Sequence, residues 1–98
     1  MTRKPKPAIK PTRATRRVLL VLLTGAGRLS GYPVSRAAQV GSGHVYVVLA
    51  RLEREGWADS EWGPESEHGR RRFYRLTPRG RYYGLQMLGL EEGENDGS

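Results

Sequence analysis

The chain of 98 residues contains no cysteine, which excludes disulfide scaffolds, thiol catalysis and cysteine-based zinc sites. Acidic residues are missing from its whole first half: no Asp or Glu occurs before Glu53, while ten Arg or Lys do. Long apolar runs are also missing. The longest, Val18 to Leu23, has six residues, far short of the roughly 20 needed to span a bilayer. No small-residue cleavage site follows it, so a signal peptide is not expected and a cytoplasmic, nucleoid-associated protein is. Histidine is limited to His44 and His68, on different predicted elements, so no metal site is expected. No glycine-rich loop joins a strand to a helix, and the paired Glu65 and Glu67 lie on a turn with nothing to desolvate them. Neither a cofactor nor an enzymatic activity is indicated.

What remains is strongly basic, with a net charge of +7 and an isoelectric point near 10.4. The acid-free half needs a negative partner outside itself, and nucleic acid is the first class to consider. Three prolines and four basic residues in 1–11 predict an extended arm in which Arg3, Lys4, Lys6 and Lys10 could track a phosphate backbone. Glu91, Glu92, Glu94 and Asp96 predict a solvated acidic tail over 91–98. One domain lies between, over 12–90.

Thr12 is placed to cap a first helix that runs to about Thr24, ended by Gly25. Its apolar positions Val18, Leu19, Leu22 and Leu23 keep helical spacing. Leu20 and Val21 widen the stripe beyond one core's needs and are candidate dimer contacts. The turn GAGRLSG leads to a second helix from about Tyr32 to Gln39, with Ser30 as its expected cap. Gly41 breaks the chain, and Ser42 is expected to cap a third helix. After Gly56 the period changes to two. Ala58, Ser60 and Trp62 face one way and Asp59 and Glu61 the other. GPESEHG then turns the chain into a second strand, RRFYRLT. Thr77 and Pro78 predict a cap followed by proline at the first position of a last helix, over 78–90.

The third helix carries the sharpest signal. Val45, Val48, Leu49 and Leu52 form its core stripe. Its other side holds Gly43, Val47 and Ala50, then Arg51 and Arg54, flanked by His44 and Tyr46. A solvated face would be dense in Glu, Lys and Gln instead. A short helix, a turn and a third helix with such a face match a helix-turn-helix, and the hairpin behind it makes a winged version. The predicted fold is therefore mainly α, with three helices, a two-stranded wing and a short C-terminal helix. The major groove of duplex DNA admits one helix. Gly43, Val47 and Ala50 would allow close approach, while His44 and Tyr46 offer hydrogen bonds. Tyr46, about 100° from the core stripe, suits a phosphate, as does Ser42 near a helix N-terminus. Arg36 on the second helix is a further phosphate candidate. Arg70, Arg71 and Arg72 follow a flexible turn, from which guanidinium groups reach phosphates or a narrow minor groove. Because side chains alternate along a strand, two of the three share a surface.

GYPVSRAA, SGHVYVVLARLEREGW, SEW and GRRRFYRLTPRG, in that order, resemble the PadR family of winged-helix transcriptional regulators over roughly 14–80. The resemblance implies that the segment matching Ser42 to Val47 enters the major groove, that the residue matching Tyr46 contacts DNA, and that Arg70 to Arg72 belong to the wing. It also implies a homodimer built on the C-terminal helix, here a short form in which Tyr82, Leu85, Met87 and Leu88 are the candidate contacts. A small-molecule effector is left open, since no residue points to one. The expected function is sequence-specific, double-stranded-DNA-binding transcriptional repression. The alternatives are a winged-helix protein-interaction module and a non-specific or architectural nucleic-acid binder.

Overall fold

Thr12, extended at φ −71° and ψ 164°, accepts a hydrogen bond from the Thr15 amide and opens the first helix. In the computed structural model, which describes residues 9–25, 27–67 and 69–89, this helix, α1, spans Arg13–Thr24. Strand β1 (Leu29–Ser30), α2 (Gly31–Ala38), α3 (Ser42–Arg54), β2 (Ala58–Trp62), β3 (Arg72–Leu76) and α4 (Pro78–Leu88) follow. The fold class agrees with the sequence reading, with one addition. GAGRLSG is not only a turn: Leu29 pairs with Tyr74 and Ser30 with Phe73, giving a three-stranded antiparallel sheet in the order β1-β3-β2.

The core lies where α1, α2, α3 and the sheet meet. Val18, Leu19 and Leu22 of α1, Val34 and Ala38 of α2, and Val45, Val48, Leu49 and Leu52 of α3 are buried. Trp57, Ala58 and Tyr74 close the group from the strand side. Ile9, which the sequence reading placed in the basic arm, is 2 % exposed and belongs to this core. The end of the arm is thus tied to the core through the Ile9 side chain, whose burial offsets part of the entropy lost on ordering it. Of the arm cations only Lys10 lies among the described residues, where it is exposed; Arg3, Lys4 and Lys6 lie outside them. So do the acidic tail and Leu90.

Two helix boundaries differ from expectation. The N-cap of α3 is Gly41, with no side-chain cap, and Ser42 is the first helical residue. The last helix stops at Leu88 because Gly89 takes a left-handed conformation at φ 73°, which glycine adopts without steric cost. Gly80, one turn into α4, is a close-approach position: a Cβ there would lie 1.9 Å from the Trp57 carbonyl oxygen. That approach lets Trp57 stack on Tyr83 with ring centroids 5.3 Å apart. Gly84, a turn farther on, faces Leu19 and Leu23 of α1.

The breadth of the α1 stripe is explained in part by this packing. Val21, Met87 and Leu88 lie against the core of their own chain, and Leu85 is half-buried. Leu20 at 44 % and Tyr82 at 50 % exposure are the dimer candidates that stand clear.

Candidate nucleic-acid interface

The turn between α2 and α3 sets the exposed helix at its angle. Gln39 adopts φ 58° and ψ 46°, an unusual conformation for a residue with a Cβ. Three bonds hold it there. Arg17 of α1 donates from Nε to the Ala38 carbonyl at 2.8 Å and from its terminal nitrogen to Gln39 Oε1, also at 2.8 Å. Ser35 Oγ donates to the Val40 carbonyl at 2.6 Å. A guanidinium at the C-terminus of α2 also meets the negative end of the helix dipole.

α3 then divides cleanly. Val45, Val48, Leu49 and Leu52 are buried, whereas Ser42, Gly43, His44, Tyr46, Val47, Ala50 and Arg51 are exposed. Tyr46 and Val47 are 47 % and 51 % exposed, although both are large and partly apolar. The first turn holds no acid and the last holds Arg51 and Arg54. With no side chain capping the helix, its first amide groups face outward as unpaired donors.

Tyr46 rests on the start of α2. A Cβ built on Gly31 would lie 2.4 Å from its ring and hydroxyl oxygen, so the glycine makes the seat. Beside it Tyr32 is 62 % exposed. Arg36, one turn on, donates to the Tyr32 hydroxyl at 3.1 Å and lies 5.7 Å from its ring centroid.

The wing approaches from the other side. Trp62 pairs across the strands with Arg72, on the sheet face that also carries Ala58, Ser60 and Tyr74. Its ring is 53 % exposed, with the Arg72 guanidinium 4.8 Å and that of Arg70 5.6 Å from its centroid. Arg72 is backed by Glu53 at 3.6 Å, and the Ser60 hydroxyl donates to the same Glu53 oxygen at 2.6 Å. Arg71 is exposed. The three arginines thus differ: Arg70 and Arg72 are held against a ring, and Arg71 points free of it. Behind them, burial raises the Tyr74 phenol above the usual tyrosine value, with Arg72 opposing the rise.

Between helix and wing lies an open cleft of about 300 Å³, lined by Ser30, Tyr32, Tyr46, Trp62, Arg70, Arg71 and Arg72. Among the described residues no acid lines it. Glu53, Asp59 and Glu61 line a second cleft of about 260 Å³, with Arg28 and Arg75. The structure therefore brings Tyr46 and the three wing arginines to one surface, while Ala50 and Arg51 lie farther along α3. Tyr32 and Trp62 were not singled out from the sequence. The only available signal was the two-residue period that gives Trp62 the same face as Ser60. Among the described residues no group of acids and histidines could hold a metal ion, and no helix is long and apolar enough to cross a membrane.

Residues 32–84 match the model of the transcriptional regulator PadR-like family. The chain is similar to the solved structure of a PadR family transcription regulator from Clostridium difficile, at 25 % identity and a TM-score of 0.60, over 72 % of this chain and 80 % of that one. It is similar to the transcriptional regulator PA4135 at 28 % identity and a TM-score of 0.67, over 80 % of this chain and 55 % of that one. The PcaV transcriptional regulator from Streptomyces coelicolor, solved with its natural ligand, matches at 27 % identity and a TM-score of 0.67, over 87 % and 55 %. The chain thus spans little more than half the length of these last two regulators. No curated protein matches it.

Proposed function

The chain belongs to the PadR-like family of transcriptional regulators, and from that premise we propose that it is a sequence-specific repressor that binds duplex DNA as a homodimer. One observation carries the reading: among the described residues, the exposed face of α3 continues without an acid into an arginine-lined cleft against the wing. In this reading the first two turns of α3 lie in the major groove. Gly43 lets the backbone approach, His44 meets base edges, and Val47 and Ala50 meet thymine methyl groups. Ser42 and the free amides of the first turn take a phosphate. Arg36, Arg51 and the wing arginines fix register on the backbone, and Lys10 with the arm extends the contact. Leu20 and Tyr82, exposed on α1 and α4, supply the dimer contact, so a target with two-fold symmetry is expected.

The test is selection of duplexes from a random pool, followed by anisotropy titration of the selected duplex and a scrambled one at two salt concentrations. The selected duplex is expected to bind on the order of a thousandfold tighter at both salts. Equal binding that collapses with salt would leave only the charge term. His44→Ala should relax sequence preference, whereas Arg71→Ala should weaken every duplex alike by roughly tenfold. Loss of discrimination in both variants would sink that division of labour. The exposed Tyr32, Tyr46, Val47 and Trp62 also suit a protein-docking face, and weak binding to every duplex by a folded chain would favour that role.

A further inference from the structure

An element in the major groove and a second beside it are separated by one sugar–phosphate strand, because every boundary between grooves is such a strand. In the duplex-binding reading, the cleft between α3 and the wing is where that strand passes. Its lining suits the task. Deoxyribose presents apolar faces and phosphate presents anionic oxygens; Tyr32, Tyr46 and Trp62 supply rings, and Arg70, Arg71 and Arg72 supply the positive charge. Among the described residues no acid lines it, although Glu53, which lines the other cleft, lies 3.6 Å from Arg72.

Trp62 has a particular place in this arrangement. A tryptophan 53 % exposed at a strand end is costly to hydrate unless something covers it. It already carries two guanidinium groups on its ring, at 4.8 and 5.6 Å, a geometry in which a cation is drawn to the π face. Unstacked arginine side chains would sample many rotamers, and ordering each on binding would oppose affinity. Taking the cleft as the strand's seat within the duplex-binding reading, we propose that Trp62 is the positioning residue that holds Arg70 and Arg72 toward the strand. The inference rests on the duplex-binding reading above and goes beyond it by assigning Trp62 as the residue that orders the wing arginines.

The chain has two tryptophans, and Trp57 is 2 % exposed, so quenching of fluorescence by neutral acrylamide reports Trp62. The probe is a mixed-sequence duplex of about two helical turns, roughly 20 base pairs, with binding followed in parallel by anisotropy. Acrylamide quenching of the saturated complex is expected to fall to that of Trp62→Phe, which retains only Trp57. Trp62→Ala should lower the slope of log K against log salt by about 0.9 for each phosphate no longer neutralised, hence by about 0.9 for Arg70, since Arg72 keeps Glu53 as a second anchor. Trp62→Phe, which keeps a ring beneath the guanidinium groups, should restore the slope. If anisotropy shows binding while Trp62 stays fully open to acrylamide, the cleft is not the seat, and the duplex reading survives. A wild-type salt slope in Trp62→Ala overturns the positioning role. Absence of binding to any duplex overturns both readings together. The quenching arm uses the wild-type chain and decides the seat; should Trp62→Ala fold poorly, Trp62→Leu, apolar but without a π face, takes its place in the slope measurement and the same loss is expected.

Discussion

Replacing Gly31 by alanine should separate binding from folding more sharply than any change in the wing. The new methyl carbon would stand 2.4 Å from the Tyr46 ring and hydroxyl, against an ordinary contact of at least about 3.4 Å, so the phenol must move by about 1 Å. Because Tyr46 is 47 % exposed, its ring can swing into solvent, and little stability is lost. Alanine at the first helical position of α2 even favours the helix by a few tenths of a kcal/mol up to about 1 kcal/mol. The hydroxyl, however, no longer sits where α3 and the wing converge. A hydrogen bond of about 2.8 Å stretched by about 1 Å is no longer one, and a bond to a charged group contributes about 1.5 to 3 kcal/mol. Duplex affinity should therefore fall by roughly 10- to 100-fold while the melting temperature holds or rises. Tyr46→Phe should weaken binding by a similar amount, and combining the two should add little, because both remove the same hydrogen bond. Anisotropy titration and thermal melts of the three variants test this. Wild-type affinity in a folded Gly31→Ala chain, or full additivity in the double variant, would refute the link from Gly31 through Tyr46 to phosphate.

Two glycines of α4 should respond to alanine with opposite signs. At Gly80 the Cβ would meet the Trp57 carbonyl oxygen at 1.9 Å, so Gly80→Ala should destabilise by about 2 kcal/mol or more despite the gain in helix propensity. At Gly84 it would meet Leu19 and Leu23 at 3.5 Å, an ordinary contact, so Gly84→Ala should stabilise by about 1 kcal/mol, or about 4–8 °C in melting temperature. Melting temperatures that rise in both would show that α4 does not press on Trp57. The raised Tyr74 phenol favours the neutral form in the fold, so its contribution is complete below the usual tyrosine value and is lost as pH climbs through the folded one. Urea midpoints between about pH 9 and pH 11 should fall less steeply for Tyr74→Phe than for wild type; equal slopes would remove the buried phenol as the cause. Leu20→Glu, at a position 44 % exposed, should leave folding within about 0.5 kcal/mol yet turn a dimer into a monomer in sedimentation equilibrium. A dimer that persists would move the interface away from α1.

Features written in local chemistry were legible before the structure. Thr12 and Thr77 cap α1 and α4 through their side chains, and the buried stripe of α3 follows from spacing alone. The shift from period 3.6 to period 2 after Gly56 marks the hairpin, and the register confirms that Ala58, Ser60 and Trp62 share a face. What escaped is written in tertiary adjacency. A strand of two residues has no alternation to detect, and β1 exists only because β3 offers it partners. Ser42 looks like a cap, but Gly41 before it takes that position. The burial of Ile9 is invisible in a segment dominated by proline and lysine. Trp62 read as one more alternating residue, because the arginines that lie on it come from beyond the hairpin tip.

The charge pattern shows the same division. An acid-free half seemed to leave all its cations waiting for an outside partner, yet some are already engaged. Arg17 closes the turn after α2, and Arg28 forms an ion pair with Glu61 while lying over Phe73. Arg28 is offset by its acid, whereas Arg17, bonded to neutral oxygens, keeps its charge but is committed to the fold. The acids that engage or approach cations, Glu53, Asp59 and Glu61, line one cleft with Arg28 and Arg75. The other cleft keeps Arg70, Arg71 and Arg72 with no acid among its described lining. A net charge of +7 is therefore not spread over the molecule but sorted between two sides of the wing. Among the described residues Glu61 offsets Arg28 on one side, while beside α3 Arg72 has Glu53 as a partner and Arg70 and Arg71 keep their charge free. Steering then brings the duplex to the face where base edges can be read, which the total charge alone could not do.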